Sequence, residues 1–207
     1  MLAVERLSCT ETLKASVILL HGYAASAAIQ RGDGQAFVSS DIEVVIPDAP
    51  GHGLREDGRI GYIASLGDEQ RVTAIVDLAR EWVEELADHA AACRERGAAR
   101  VGVVGISMGG FAALGALSQD CAFDAVAAVL AAPTLVDPGA MSASTPPVML
   151  GLAGKDSAVQ PDLGRQFACD HGLELHEYPE SEHLMRCEDW LSLWGHTTAF
   201  MRRHLLL

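Results

Sequence analysis

The chain has 207 residues, of which 49% are hydrophobic and 21% charged, and this composition indicates a globular protein of one domain spanning residues 1–207. Acidic residues outnumber basic ones by 28 to 15, so the formal net charge is −13, which argues against nucleic-acid binding. No apolar run approaches the length of a membrane span, and residues 1–6 lack the apolar region of a secretory leader. We therefore expect a cytoplasmic protein that binds neither membranes nor nucleic acids.

Five cysteines are scattered along the chain without a C-x-x-C pair: Cys9, Cys93, Cys121, Cys169 and Cys187. Their odd number predicts free thiols in a reducing compartment. The sequence has no phosphate-binding loop of the Walker type and no G-x-G-x-x-G motif after a strand. We expect no cofactor and no bound metal.

Apolar runs and helical spacing divide the chain into alternating elements. Residues 16–20, 42–46, 101–105, 125–131, 148–153 and 173–178 read as strands. Residues 68–96 form a long amphipathic pattern that ends at Gly97, and residues 111–117, 161–170 and 188–204 are also helical in pattern. Strands that are apolar throughout and alternate with helices predict an α/β fold: a mostly parallel, twisted sheet with helices on both faces. In such sheets, reactive groups gather at the carboxyl ends of the strands.

The segment from Gly105 to Gly110 reads G-I-S-M-G-G and lies between a predicted strand and a predicted helix. A sharp turn in that position presents a serine hydroxyl away from the backbone. Gly105 and Gly109 lack Cβ atoms and leave room around such a turn. We therefore predict that Ser107 is a nucleophile.

A nucleophilic serine needs a general base, and the chain has eight histidines. We predict His183, because it follows the last strand and precedes the last helix. His52, in a turn, is the main alternative. The other histidines lie within helical patterns, beside the last strand or after the first: His89, His196, His204, His171, His176 and His21.

The acid that orients this histidine should also follow a strand. Asp156 does so, and the order Ser, Asp, His along the chain then fits a hydrolytic triad. Asp137, which follows the preceding strand, remains an alternative. Asp162 fits better in the first turn of a helix, where carboxylates are stabilising.

An oxyanion hole requires two backbone N–H groups that point at one position. Met108, directly after the serine, is predicted to supply one of them. The loop after the first predicted strand reads His21-Gly22-Tyr23, and the Tyr23 N–H is the second candidate. We interpret His21 as a structural residue.

Together these features resemble the α/β-hydrolase superfamily. The resemblance covers nearly the whole chain and includes the His21-Gly22 loop, the D-A-P-G-H-G loop at 48–53, the serine turn, Asp156 and His183. It implies that Asp48 and His52 are scaffold residues. Only residues 134–146 separate the strands between which many members insert a cap, so the chain is similar to capless small carboxylesterases and dienelactone-hydrolase-like esterases. The latter often carry a cysteine nucleophile, so Ser107 argues against dienelactone hydrolysis.

The expected activity is hydrolysis of carboxylic esters with short or medium acyl chains, with a small-molecule ester as substrate. Thioester hydrolysis, acyl transfer and perhydrolysis use the same residues and remain open, as does a non-catalytic ligand-binding module. The sequence does not determine whether the protein is a monomer or a homodimer. Residues 54–67 are a candidate partial lid. Four apolar residues near His183 belong either to an acyl pocket or, as we favour, to the core: Met185, Trp190, Leu191 and Trp194.

Overall fold

The computed structural model describes residues 4–9, 12–119, 123–137, 139–142 and 144–206. Its strands are β1 (Val4–Leu7), β2 (Ala15–Leu20), β3 (Ile42–Pro47), β4 (Arg100–Ile106), β5 (Ala125–Val129), β6 (Val148–Ala153) and β7 (Glu174–Tyr178). Within the described residues they form one seven-stranded sheet in the order β1-β3-β2-β4-β5-β6-β7. β1 pairs antiparallel with β3, and every other pairing is parallel. The predicted mostly parallel sheet is therefore confirmed, with β4 in the middle.

The helices are α1 (Ala27–Gly34), α2 (Arg59–Ala64), α3 (Asp68–Glu95), α4 (Met108–Gly115), α5 (Pro161–His171) and α6 (Cys187–Leu205). The four long helical patterns correspond to α3, α4, α5 and α6. α4 begins three residues earlier than predicted, directly after Ser107. The strand predicted at 125–131 ends at Val129, because Leu130 turns the chain with a φ of 56°.

Three of these strands and α-helices lie outside the predicted elements. β1 is a four-residue edge strand with the sequence VERL, and its charged residues hide the apolar signal. α1 has eight residues, several of them glycine or polar, and α2 has only six, so neither shows a sustained helical period. Each depends on its neighbours more than on its own sequence: β1 pairs with β3, α1 packs on β1 and β3, and α2 packs against α3.

Side chains that alternate along each strand build two cores. In β2, Ile18 and Leu20 join the core beneath α2, α3, α4 and α5. Val17 and Leu19 point the opposite way, into the core beneath α1 and α6. Both faces of the sheet are therefore covered, which explains why its parallel strands are apolar at successive positions.

Residues 130–147 connect β5 to β6, and those that the structure describes form neither helix nor strand. The chain thus has no cap domain. Among the described cysteines, Cys9, Cys93, Cys169 and Cys187 are free thiols, whereas Cys121 lies outside the described residues. None of the described helices combines the length and apolar character needed to cross a bilayer.

Candidate active site

Ser107 lies at the junction between β4 and α4, with φ 53° and ψ −114°. This conformation is unfavourable for a residue with a Cβ, and such strain costs about 1–3 kcal/mol. Two main-chain hydrogen bonds hold it: the Ser107 N–H donates to Val129 O at 2.8 Å, and Ser107 O accepts from the Phe111 N–H at 3.0 Å. The turn therefore fixes the direction of the Ser107 hydroxyl.

The glycines around the serine are required by close backbone contacts. A Cβ at Gly105 would lie 2.0 Å from the main-chain oxygen of Gly109. A Cβ at Gly109 would lie 2.4 Å from the main-chain oxygen of Leu20. Both distances are far inside van der Waals contact, so only glycine permits α4 to start this close to β2 and β4.

A chain of hydrogen bonds joins the serine to a carboxylate. Ser107 Oγ lies 3.0 Å from His183 Nε2, and His183 Nδ1 lies 2.7 Å from Asp156 Oδ2. A carboxylate accepts hydrogen bonds only, so the Nδ1 proton donates to Asp156. In the neutral imidazole, Nε2 is then free to accept the hydroxyl proton of Ser107. The structure brings together the three side chains that the sequence singled out.

Asp156 is fixed in place after β6 by backbone amides. Its Oδ1 accepts from the N–H groups of Ala158 and Val159, each at 2.8 Å. Its side chain is only 2% exposed, whereas that of His183 is 25% exposed. These bonds occupy one carboxylate oxygen and leave the other directed at the imidazole.

The alternative acids do not contact His183. The Asp137 N–H donates to Ser118 Oγ at 2.7 Å, and Asp137 lines a separate cleft with residues of α3. Asp162 lies in the first turn of α5, as expected, and pairs there with Arg165. The carboxylate in contact with His183 belongs to Asp156.

The two candidate oxyanion donors belong to segments that lie next to Ser107. Met108 is the first residue of α4, where the N–H groups have no partner within the helix. Tyr23 follows Gly22, and a Cβ built on Gly22 would lie 3.7 Å from the Ser107 Cβ, so this loop passes close to the serine. Gly22, Tyr23 and Ser107 line the same cleft.

His21 is fully buried and holds the loop that carries Tyr23. Its Nε2 accepts from the Ala49 N–H at 3.1 Å, so its proton is on Nδ1, which donates to Gly22 O at 2.9 Å. That carbonyl belongs to the same trans peptide as the Tyr23 N–H, and the two groups point in opposite directions. Burial, with a smaller contribution from His52, lowers the pKa of His21 to about 4. His21 is therefore neutral and structural.

His52, the alternative base, is also occupied by the backbone. Its Nε2 accepts from the Ala24 N–H at 3.1 Å and its Nδ1 donates to Pro50 O at 2.9 Å. Burial lowers the pKa of His52. Its partner Ala24 has a φ of 59°, an unusual conformation that this hydrogen bond stabilises. His52 supports the Tyr23 loop and makes no hydrogen bond to Ser107.

Asp48 supports the same region from the other side. Its Oδ1 accepts from the Ala27 N–H at 2.8 Å and its Oδ2 from the Leu54 N–H at 3.0 Å. A Cβ at Gly53 would lie 2.1 Å from Asp48 Oδ1. Asp48 thus joins α1 to the loop after β3, and the scaffold role implied by the resemblance agrees with its contacts.

The site opens into a cleft of about 580 Å³ with mainly apolar walls. These walls include Val72, Ile75, Ile106, Phe111, Leu130 and Val159. None of the residues that line the cleft belongs to the candidate lid at 54–67. A hydrogen bond joins that segment to the Tyr23 loop: the Tyr23 hydroxyl donates to Ile60 O at 3.2 Å.

The four apolar residues after His183 have different environments. Trp194 is buried in the core, as expected. Leu191 is exposed on α6, so the prediction of core packing is wrong for this residue. Met185 and Trp190 pack against the core beneath α1 and α6, as expected, and also line the cleft, which the favoured interpretation did not include. The sequence also failed to single out Val72, Ile75 and Asp33 as lining residues, because nothing in the pattern of α1 or α3 shows which turns face the cleft.

A family model described as the alpha/beta hydrolase family matches residues 17–205. The chain belongs to the alpha/beta hydrolase family. The matched region includes both the serine turn and the loop that carries His183. Membership of this family makes the chain a hydrolase. Among curated protein sequences, no significant match to this hydrolase is found.

Solved structures share the fold of this hydrolase along its whole length. Esterase PE8 is 23% identical, with 99% of each chain covered and a TM-score of 0.70. TT1662 from Thermus thermophilus is 17% identical, with 99% of this chain and 94% of that one covered and a TM-score of 0.73. Acyl-protein thioesterase 2 from Zea mays is 18% identical, with 97% and 100% covered and a TM-score of 0.61. At these identities the likeness establishes the fold alone.

Proposed function

We propose that this hydrolase cleaves carboxylic esters of short or medium acyl chains through an acyl-enzyme on Ser107. The observation that carries the proposal is the hydrogen-bonded chain from Ser107 Oγ through His183 to Asp156, at the wall of an apolar cleft. A serine hydroxyl is a weak nucleophile unless a base accepts its proton, and the 3.0 Å contact with Nε2 supplies that base.

In the first half of the reaction, Ser107 Oγ attacks the acyl carbon of the ester and its proton passes to His183 Nε2. Asp156 stabilises the resulting imidazolium through the hydrogen bond to Nδ1. The N–H groups of Tyr23 and Met108 donate to the oxyanion of the tetrahedral intermediate. The bond to the alcohol oxygen then breaks, and the leaving group takes the proton from Nε2.

In the second half, water replaces the alcohol. His183 accepts a proton from the water as its oxygen attacks the acyl carbon, and the Ser107 oxygen leaves with the proton returned from Nε2. The products are the carboxylic acid and the free enzyme. One donor of the proposed oxyanion hole would contribute a factor of about 10²–10³ to turnover.

The size and lining of the cleft support the choice of substrate. A volume of about 580 Å³ lies within the range of small-molecule sites. Apolar walls formed by residues such as Phe111 and Leu130 suit an alkyl chain. Because no cap domain covers the site, we propose short and medium chains.

The test compares hydrolysis of p-nitrophenyl acetate, butyrate and octanoate by the wild type and Ser107→Ala. We expect Ser107→Ala to lose at least about 10³-fold in kcat. Ser40→Ala, which alters an exposed serine, is the matched control and should keep full activity. Thermal unfolding of each variant establishes that it is folded.

A fluorophosphonate probe should label the wild type and Ser40→Ala but not Ser107→Ala. Undiminished turnover by folded Ser107→Ala would refute the proposed nucleophile. S-butyryl thioesters measured in parallel decide the acyl donor, since a kcat/KM well above that of the matched oxygen ester would assign the same residues to thioester cleavage.

A further inference from the structure

One end of the cleft is polar and is built by α1 and α6. Gln30 and Asp33, one turn apart on α1, line the cleft together with Trp190 of α6. The Trp190 indole N–H donates to Asp33 Oδ1 at 3.2 Å, and Gln30 Nε2 donates to Asp33 Oδ2. The Asp33 carboxylate is thus held from two helices at the wall of the cleft.

The other end of the cleft is apolar. Val72 and Ile75 of α3 line it, and Ile75 packs against the core on the α3 face of the sheet. Trp190 packs against the core on the opposite face. Since Ser107 follows the central strand, the cleft passes over the serine from one face of the sheet to the other. An ester with its carbonyl at Ser107 therefore extends one part towards α3 and the other towards Asp33.

The Asp33 carboxylate has unused capacity to accept hydrogen bonds. A carboxylate offers about four acceptor positions, and the described residues Trp190 and Gln30 use one on each oxygen. Burial raises the pKa of Asp33, against the opposing effect of these two hydrogen bonds. A half-buried acceptor in an apolar cleft discriminates strongly between ligands that offer a donor and ligands that do not.

If Asp33 had a purely structural role, its carboxylate would serve to connect α1 to α6. The two helices are connected without the Asp33 side chain, because the Trp194 indole N–H donates to the main-chain oxygen of Asp33 at 3.0 Å. The Trp194 contact lies in the core, where Trp194 is buried, whereas the Asp33 carboxylate lines the cleft.

We infer that Asp33 is a specificity-determining residue that accepts a hydrogen bond from a hydroxyl or ammonium group of the substrate. The preferred substrates are then hydroxy- or amino-substituted esters rather than plain alkyl or carboxylate-bearing ones. This inference rests on the proposed ester hydrolysis and adds the class of ester.

The test uses two matched series of esters, one substituted at the end of the acyl chain and one at the end of the alcohol. Each series contains methyl, hydroxyl, ammonium and carboxylate ends at equal length, with release of acid followed by titration at constant pH. The wild type should prefer the hydroxyl or ammonium ester over the methyl ester by about tenfold in kcat/KM in at least one series.

Asp33→Asn keeps an acceptor for Trp190 but removes the charge, and Asp33→Ala removes the acceptor altogether. Loss of preference in both variants identifies an ammonium group, and loss in Asp33→Ala alone identifies a hydroxyl group. The readout is the ratio of kcat/KM for the hydroxyl or ammonium ester to that for the methyl ester of equal length, which should fall about tenfold in the affected variant. Asp88→Asn, an exposed carboxylate on α3, is the control and should keep the wild-type profile.

Equal kcat/KM for all ends in the wild type would overturn the inference. So would an Asp33 substitution that changes every ester by the same factor, because that is the behaviour of a structural residue. If the wild type hydrolyses none of the esters, the proposed function itself fails and the inference fails with it.

Discussion

Acid should destabilise this protein through His21. The His21 Nε2 accepts a hydrogen bond from the Ala49 N–H, so a proton on Nε2 would place two donors face to face. Burial is the main reason that the pKa of His21 falls to about 4, with His52 acting in the same direction and the Gly22 hydrogen bond and Asp48 opposing. The unfolded chain takes up a proton near the ordinary histidine pKa of 6.5.

The direction and size of the effect follow from these two values. Between pH 6.5 and about 4 the unfolded chain binds more protons at this site than the folded one. The contribution of neutral His21 to the free energy of unfolding is fully present above pH 6.5 and is lost as the pH falls towards 4. At 1.36 kcal/mol for each pKa unit, about 2 kcal/mol is lost between pH 7 and pH 5.

The assay is urea unfolding of the wild type and His21→Gln at pH 7, 6 and 5. Glutamine can accept a hydrogen bond from the Ala49 N–H but does not titrate. The substitution removes the hydrogen bond to Gly22 O, which lowers the free energy of unfolding by about 1 kcal/mol at every pH. We expect the difference in free energy of unfolding between the wild type and His21→Gln to change by about 2 kcal/mol between pH 7 and pH 5, with the wild type losing the stability. The His196→Gln variant, which changes an exposed histidine, is the control, and its free energy of unfolding should depend on pH as that of the wild type does. If the difference in free energy of unfolding between the two proteins stays constant across this range, the reasoning is refuted.

The remaining predictions concern the acid and the glycines. Asp156→Asn should lower kcat for ester hydrolysis by about 10³–10⁴-fold without unfolding, because the amide oxygen still accepts from two backbone N–H groups while the histidine tautomer is no longer fixed. Activity above a tenth of the wild type would contradict this role. Gly105→Ala should lower the free energy of unfolding by about 3 kcal/mol or more, since its Cβ would lie 2.0 Å from a main-chain oxygen. Gly195→Ala lies in the exposed middle of α6, and its new Cβ would contact nothing within 4 Å beyond the neighbouring residues and backbone of its own helix, so it should raise the free energy of unfolding by about 0.5–1 kcal/mol in the same urea titration.

The serine turn shows how far local sequence determines this site. Gly105 and Gly109 have a defined spacing from Ser107 because a Cβ at either position would clash with backbone atoms. This steric requirement is visible in the sequence as the spacing of the two glycines. The positions of His183 and Asp156 after strands predict their roles, and the parallel sheet brings those strand ends together. The candidate lid and the cleft-lining role of Asp33 lacked such a pattern.

Sequence by itself determined the alternation of apolar strands and helices and the residue types around Ser107. Periodicity and glycine spacing are local properties, so they act wherever the chain lies in space. Only the tertiary structure decided which histidine reaches the serine, which acid reaches that histidine, and which turns of α1, α3 and α6 enclose the cleft. Those choices depend on distances between residues far apart in the chain, such as the 3.0 Å between Ser107 Oγ and His183 Nε2, and packing across the sheet sets them.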